Sequence, residues 1–219
     1  MDIIWDGILR SDVLSESNVR IRRTLADSAK RYDWTKVVSI LGDHEKLVNT
    51  SRPDGSSLYT PLHQAAHGGA PVEIVEKLIR MGAWRTLQNA RGERAVDIAS
   101  KKGHPDLVEV LDPLMKRRVP AGILLKIQDY FHEVIRGRAD ELVSKHGLRL
   151  PALEPLLEYE RTTFWFSIPG MYGGFGYWLE TDGVEATLVT ESWCRVVGGS
   201  GQRHEVTSAG SKLVAEGFV

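Results

Sequence analysis

One cysteine, Cys194, is all that the 219 residues contain. No internal disulfide can form, and a cysteine-rich zinc site lacks its thiolates. A reducing cytoplasm is the compartment that suits such a chain. Also missing is any run of the ~18 apolar residues that a membrane-spanning helix needs. The opening residues, Met1-Asp2-Ile3-Ile4-Trp5-Asp6, place acids where a secretion signal carries a basic segment and an apolar core. Charge of one sign is absent too, since 28 Lys and Arg face 29 Asp and Glu for a net charge of -1. That balance gives no general pull toward nucleic acid or an anionic membrane, so such binding would have to rest on a local patch. A soluble, cytoplasmic protein without membrane contact is the expectation.

Motifs for covalent or phosphate chemistry are also lacking. No Gly-x-Ser-x-Gly elbow occurs. The stretch Pro169-Gly170-Met171-Tyr172-Gly173-Gly174-Phe175-Gly176 is rich in glycine, but a phosphate loop opens onto a helix and carries a Lys-Ser/Thr pair. Here the following residues alternate as a strand, and a tight loop or bulge packing against aromatics is the better reading. Cys194 lies between Trp193 and Arg195 in a strand-like run with no base nearby in sequence, which reads as a buried structural thiol. Metal ligation needs three or four converging groups, and the available set is His132, Glu191, His204 and Glu205. His132 falls on the polar side of its helix, toward solvent, and His204 and Glu205 point to opposite faces of a strand. No catalytic residue, metal or cofactor is therefore expected.

What the chain does have is helical periodicity followed by alternation. Val19, Ile21, Leu25 and Ala29, then Trp34, Val37, Val38, Ile40 and Leu41, predict a helix pair within residues 15 to 48, with Ser15 and Asp33 placed to cap. Then comes Thr60-Pro61-Leu62-His63-Gln64-Ala65-Ala66, a Gly68-Gly69 turn, and an apolar stripe from Val72 to Gly82-Ala83. Proline at a first helical turn costs no hydrogen bond. Paired alanines let neighbouring helices approach closely. A degenerate copy, Arg91 to Ala99 with Gly103-His104 and Leu107 to Leu111, follows 35 residues later by the spacing of Thr60 and Ala95.

This pattern closely resembles the ankyrin repeat, and the whole chain resembles bacterial ankyrin-repeat proteins. The resemblance implies two to three repeats, the earlier helix pair being the most divergent. It implies that His63 ties loops together by hydrogen bonds to backbone, that His104 acts likewise, and that Asp97 makes a weaker link in the later copy. So short an array needs a cap, because about three repeats are normally required for stability.

The expected cap begins at Pro120, after a hinge at Lys116-Arg117-Arg118-Val119-Pro120. One apolar-striped helix runs through Ile135, a second spans Ala139 to His146, and a short third lies between Pro151 and Glu158. From Thr162 the period becomes two: Phe164 to Ile168, Gly174 to Glu180, Val184 to Thr190 and Ser192 to Val197, with Asp182-Gly183 as a hairpin signal. The predicted class is α+β, with residues 1 to 119 as N-terminal helices and ankyrin repeats. Residues 120 to 219 are expected to form helices and a small antiparallel sheet packed on the array.

The expected function is non-enzymatic binding of another protein, as an adaptor, inhibitor or immunity-like protein. By the resemblance, partners meet the fingers between repeats and the concave face of the first helices. That assigns Arg52, Tyr59, Gln64, His67, Trp84, Arg85, Arg91, Arg94 and Lys101 to the surface. Trp84 either stands exposed as an anchor or packs under the C-terminal region. Basic clusters at Arg94, Lys101-Lys102 and Lys116 to Arg118 lack interleaved aromatics, so nucleic acid is not the expected partner. The rival expectation is an enzymatic or ligand-binding C-terminal domain with a cleft formed by Tyr172, Trp178, Glu191, Arg195 and His204.

Overall fold

A computed structural model describes residues 3–195 and 200–217. The chain divides into two compact units, Leu9–Leu114 and Met115–Val219, the latter joined by the segment up to Ile8. The boundary expected at residue 119 thus falls at 114. The hinge expected at Lys116 to Pro120 is bonded into the second unit. Lys116 and Arg117 donate backbone N–H groups to Leu157 O, and the Arg117 guanidinium binds Asp182 at 2.5 Å and Leu179 O.

The first unit holds three helix pairs: α1 Glu16–Lys30 with α2 Trp34–Asp43, α3 Pro61–Gly68 with α4 Val72–Arg80, and α5 Ala95–Lys102 with α6 Pro105–Leu111. The capping residues act as their types dictate. Ser15 Oγ accepts Asn18 N–H, Asp33 Oδ1 accepts Lys36 N–H, and Thr60 closes a capping box with His63 ahead of Pro61. Gly69 and Gly103 end α3 and α5 in the left-handed conformation, with φ of 61° and 76°.

One apolar core runs through all three pairs. Leu25, Val37, Leu41, Leu62, Val75, Leu78, Ile98, Leu107 and Leu111 are each at most 3% exposed. To this core the first helices bring small residues, Ala29, Ala65, Ala66 and Ala99, beside Leu25, Leu62 and Ile98. Two turn glycines are fixed by rings. A Cβ on Gly68 would stand 2.3 Å from the Tyr32 ring, and one on Gly69 would stand 2.5 Å from the His104 ring.

In the second unit the sheet order is β1 Ile3–Trp5, β2 Phe164–Ile168, β3 Gly173–Thr181, β4 Thr187–Cys194, β5 Ser200–Thr207 and β6 Gly210–Glu216. Strands β2 to β6 are antiparallel as expected, and β1 adds a parallel edge that the sequence did not announce. Trp5 Nε1 donates to Arg149 O at 2.9 Å, and Arg149 N–H donates to Gly7 O at 2.8 Å, which ties the N-terminal segment to this unit. Of the strand expected from Ser192 to Val197, the part to Cys194 forms as β4, and Val196 to Gly199 lie outside the described residues. The Asp182-Gly183 hairpin is looser than a two-residue turn, because a 3-10 turn at Gly183–Glu185 intervenes before Thr187.

The two expected helices, one running through Ile135 and one from Ala139 to His146, meet at a kink within α7 Ala121–His146, where Ala139 has a non-helical φ of -146° and ψ of 23°. Phe131 of α7 packs on Tyr177 and Phe175 with ring centroids 5.0 and 6.5 Å apart. Phe164, Phe166, Phe175 and Tyr177 are fully buried on that face. Successive strand residues alternate sides, so the opposite face carries Trp165, Trp178 and Trp193. There each of two tryptophans sits opposite glycine: Trp165 opposite Gly176, and Trp193 opposite Gly174 and Gly201. An indole lying over a glycine covers the bare backbone that the missing side chain leaves. The glycine-rich segment is therefore a strand component, and at Gly174 a Cβ would meet Phe166 O at 2.2 Å.

His132 is a correction to the sequence reading. It is half-buried, and its Nε2 donates to Pro151 O at 2.8 Å. Burial lowers its pKa below the ordinary value, outweighing the carbonyl contact that pulls the other way.

Gly69→Ala should cost about 1–3 kcal/mol, from a left-handed backbone and the His104 ring together. Gly42→Ala, inside α2 with no atom within 4 Å of the new Cβ, should instead add about 0.5–1 kcal/mol; urea unfolding at neutral pH measures both. For His132 the folded state holds the neutral ring, so its contribution is complete above the unfolded value near 6.5 and is lost as pH falls through the lower folded value. Unfolding followed from roughly pH 7.5 to 5.5 should show a steeper loss in the native chain than in His132→Gln.

Candidate functional site

Two finger segments, residues 52–59 and 84–94, stand at the N-terminal ends of α3 and α5. Both are locked by short-range chemistry. In the second finger, Asn89 Oδ1 accepts the N–H groups of Arg91 and Glu93 at 2.7 and 3.0 Å, and Asn89 Nδ2 donates to Glu93 Oε2 at 2.9 Å. Ala90 N–H donates to Ser57 O at 3.0 Å, which zips one finger to the other. At their base, Asn49 donates to Gly82 O at 2.8 Å and accepts Trp84 N–H at 2.9 Å.

Finger and first helix are joined by ion pairs. Arg23 meets Asp54 at 2.9 Å, Arg52 meets Asp27, and Lys101 meets Glu93 at 2.6 Å. The Asp54 carboxyl is held below its usual range chiefly by the Ser11 backbone N–H, with the Ser11 side chain and Arg23 adding to it. Glu93 is lowered by its Asn89 hydrogen bond first and then by Lys101.

Along the first helices an aromatic group forms the middle of this face. The Tyr59 ring lies 5.6 Å from His63 and 6.3 Å from His67, and Tyr32 Oη is 3.0 Å from His67 Nδ1. Tyr32 is 42% exposed and has φ of 61°, held over Gly68 where no side chain intervenes. His67 is shifted down by burial, then by Lys102 and His104, so its neutral ring is favoured. Tyr32 was missed by the sequence reading, because its partner in the face, His67, lies 35 residues on.

Of the anticipated surface residues, Arg52, Arg91 and Lys101 are exposed, and Tyr59, Gln64, His67 and Arg94 are half-exposed. Arg85 turns inward, with Nη1 donating to Val110 O at 3.3 Å. Trp84 is 4% exposed and leaves the surface set. His63 Nδ1 stands 3.3 Å from Thr60 N and 2.8 Å from Thr60 Oγ1. Asp97 caps its own helix by accepting Arg94 N–H at 2.8 Å.

The five residues proposed for a C-terminal cleft do not converge. His204 pairs with Thr190 and through it with Tyr177, on the face that α7 covers, while Trp178 and Glu191 alternate onto the other face. Burial, then Arg138, lowers the His204 pKa. Tyr172 is 76% exposed in the β2–β3 turn, and Arg195 is exposed beyond the end of β4. Trp178 and Glu191 are linked by a residue that the sequence reading passed over. The Arg203 guanidinium stands 5.7 Å from the Trp178 ring and 3.5 Å from Glu191 Oε1. A cleft of about 580 Å³ does exist beside Trp178, but Arg117, Glu160, Arg161, Thr163, Glu180 and Asp182 form its walls. Cys194 is half-buried rather than buried.

Among the described residues no group of three His, Cys, Asp or Glu could hold a metal ion, and no helix is long and apolar enough to cross a membrane. One solved structure similar to this chain is a predatory endopeptidase from Bdellovibrio bacteriovorus in complex with an immunity protein, at 26% identity and a TM-score of 0.34. The match covers 40% of this chain, which spans 42% of the length of that one. Residues 57–90 match the family model of the ankyrin repeat. That stretch begins in the first finger, takes in the Thr60 capping box, the Gly69 turn and α4, and ends in the second finger. Residues 57–90 thus carry an ankyrin repeat.

Proposed function

We propose that the chain works by holding another protein on the finger and first-helix face of residues 9–114. The observation that carries this reading is the Tyr32, Tyr59 and His67 group, set in a frame whose fingers are already fixed by the Asn89 turn and the Ala90 to Ser57 bond. A surface ordered before it meets a partner loses little entropy on binding. Tyrosine supplies large contact area and a polar tip with few rotatable bonds.

A ligand-binding second unit is less well supported. The groups beside Trp178 satisfy one another, with Arg117 on Asp182 and Trp178 Nε1 on Glu180 at 2.9 Å. Partners of that kind would have to be broken before a ligand could be bound.

A photo-crosslinking residue at Gln64 in the full chain, expressed in its native cells, should trap a protein partner. Asparagine tolerates the left-handed backbone, so Tyr32→Asn should lose only the ring's packing on Gly68 and Trp34, about 1 kcal/mol of stability, while weakening partner binding by about 2 kcal/mol. Trp84→Ala should do the reverse and cost about 3–5 kcal/mol of stability. Undiminished binding by Tyr32→Asn would show that the face is wrongly assigned.

A further inference from the structure

The unit Leu9–Leu114 is electrically sided. Within α1, α3, α5 and the two finger segments there are ten Lys and Arg against five Asp and Glu, whereas α2, α4 and α6 carry three against five. Two of the ten do not reach outward, since Arg22 is 8% exposed and Arg85 turns to Val110 O. A positive excess remains on the finger side and none on the other.

How the charges are engaged sharpens the asymmetry. On the finger side Asp27, Asp54, Glu93 and Asp97 are all occupied within the unit, by Arg52, by Arg23 and Ser11, by Lys101 and Asn89, and by the Arg94 N–H. Arg91 and Arg94, at the second finger, form no ion pair among the described residues. Four of the five acids are thus engaged within the unit, and of the outward guanidinium groups without an ion pair among the described residues, Arg20, Arg91 and Arg94, the last two stand together at the second finger.

Resting on the proposed function, we infer that the partner is an acidic protein, which sets Asp or Glu side chains against Arg91 and Arg94 at the second finger. Guanidinium groups favour carboxylates because their N–H fork matches the two oxygens. A nucleic acid is the poorer fit. The evenly spaced charges of a phosphate backbone would also meet Asp54 and Glu93 at finger level, both held ionised, whereas a protein can set carboxylates on Arg91 and Arg94 and neutral groups opposite those acids.

The test has two arms. Fluorescein-labelled poly-L-glutamate is titrated against the full chain by anisotropy, beside a random-sequence DNA duplex. Saturable binding of the polypeptide is expected, weakening about tenfold between about 50 and about 200 mM salt. Arg91→Gln with Arg94→Gln should weaken it about tenfold again, and Arg91→Lys with Arg94→Lys should restore most of the loss. No binding, tighter binding of the duplex, or indifference to the double variant overturns the inference. In the second arm, the segment trapped by the crosslinker at position 64 is sequenced. An acid-rich segment supports the inference. A neutral or basic one overturns it and leaves the proposed function standing, while failure to trap any protein counts against both.

Discussion

The distance between first helices is set by methyl groups. Ala29, Ala65, Ala66 and Ala99 are at most 1% exposed, and α3 packs against both α1 and α5. A bulkier side chain there would force backbone movement costing typically about 1–3 kcal/mol. Close stacking has a consequence above the helices: successive loops come within reach of one another. Asn49 can then bridge to Gly82 and Trp84, and Ala90 can bond Ser57. At the other ends of the helices the same closeness lets Tyr32 lie on Gly68 and His104 lie on Gly69. Finger rigidity and the seat of Tyr32 thus both descend from four small residues in the core.

A different constraint governs the sheet unit. A sheet with α7 over one face must do something with the other, and this one covers it with its own tryptophans over glycines. Indole rings supply much apolar area without a second layer of helices. The helix-facing side is less completely resolved. Tyr177 is fully buried, its hydroxyl has no hydrogen-bond partner among the described residues, and burial raises its pKa well above the ordinary phenol value. A buried hydroxyl without a partner costs about 1–3 kcal/mol. The aromatic packing of Phe131 and Phe164 around that ring offsets it.

Local chemistry was legible in the sequence, and distant pairing was not. Ser15, Asp33, Thr60 and Gly69 each act through atoms within five residues, so type and spacing were enough to place them. Strand β2 was readable from five alternating residues. Strand β1 was not, because three residues gain strand character only by pairing with Phe164 to Phe166 some 160 positions away. The expected cleft failed for a related reason. Trp178, Glu191 and His204 are all on strands, but which face each takes depends on registers across two hairpins, and a one-residue slip reverses the face. Trp84 shows the same limit for burial: its neighbours in sequence are loop residues, and nothing within reach along the chain announces what buries the indole.

The positions of the ion pairs also bear on how the array meets a partner. Exposed pairs such as Arg23 with Asp54 and Lys101 with Glu93 add little to stability. Their larger effect is directional, because each sets a carboxylate against the unit's own cation. Arg91 and Arg94, which form no such pair among the described residues, sit on the finger with the most internal hydrogen bonds. Free charge on a fixed support gives a defined direction of attraction, which selects orientation as much as affinity. Spent acids, free arginines and a tyrosine held in a left-handed turn therefore belong to one arrangement, and its geometry is inherited from the alanines beneath.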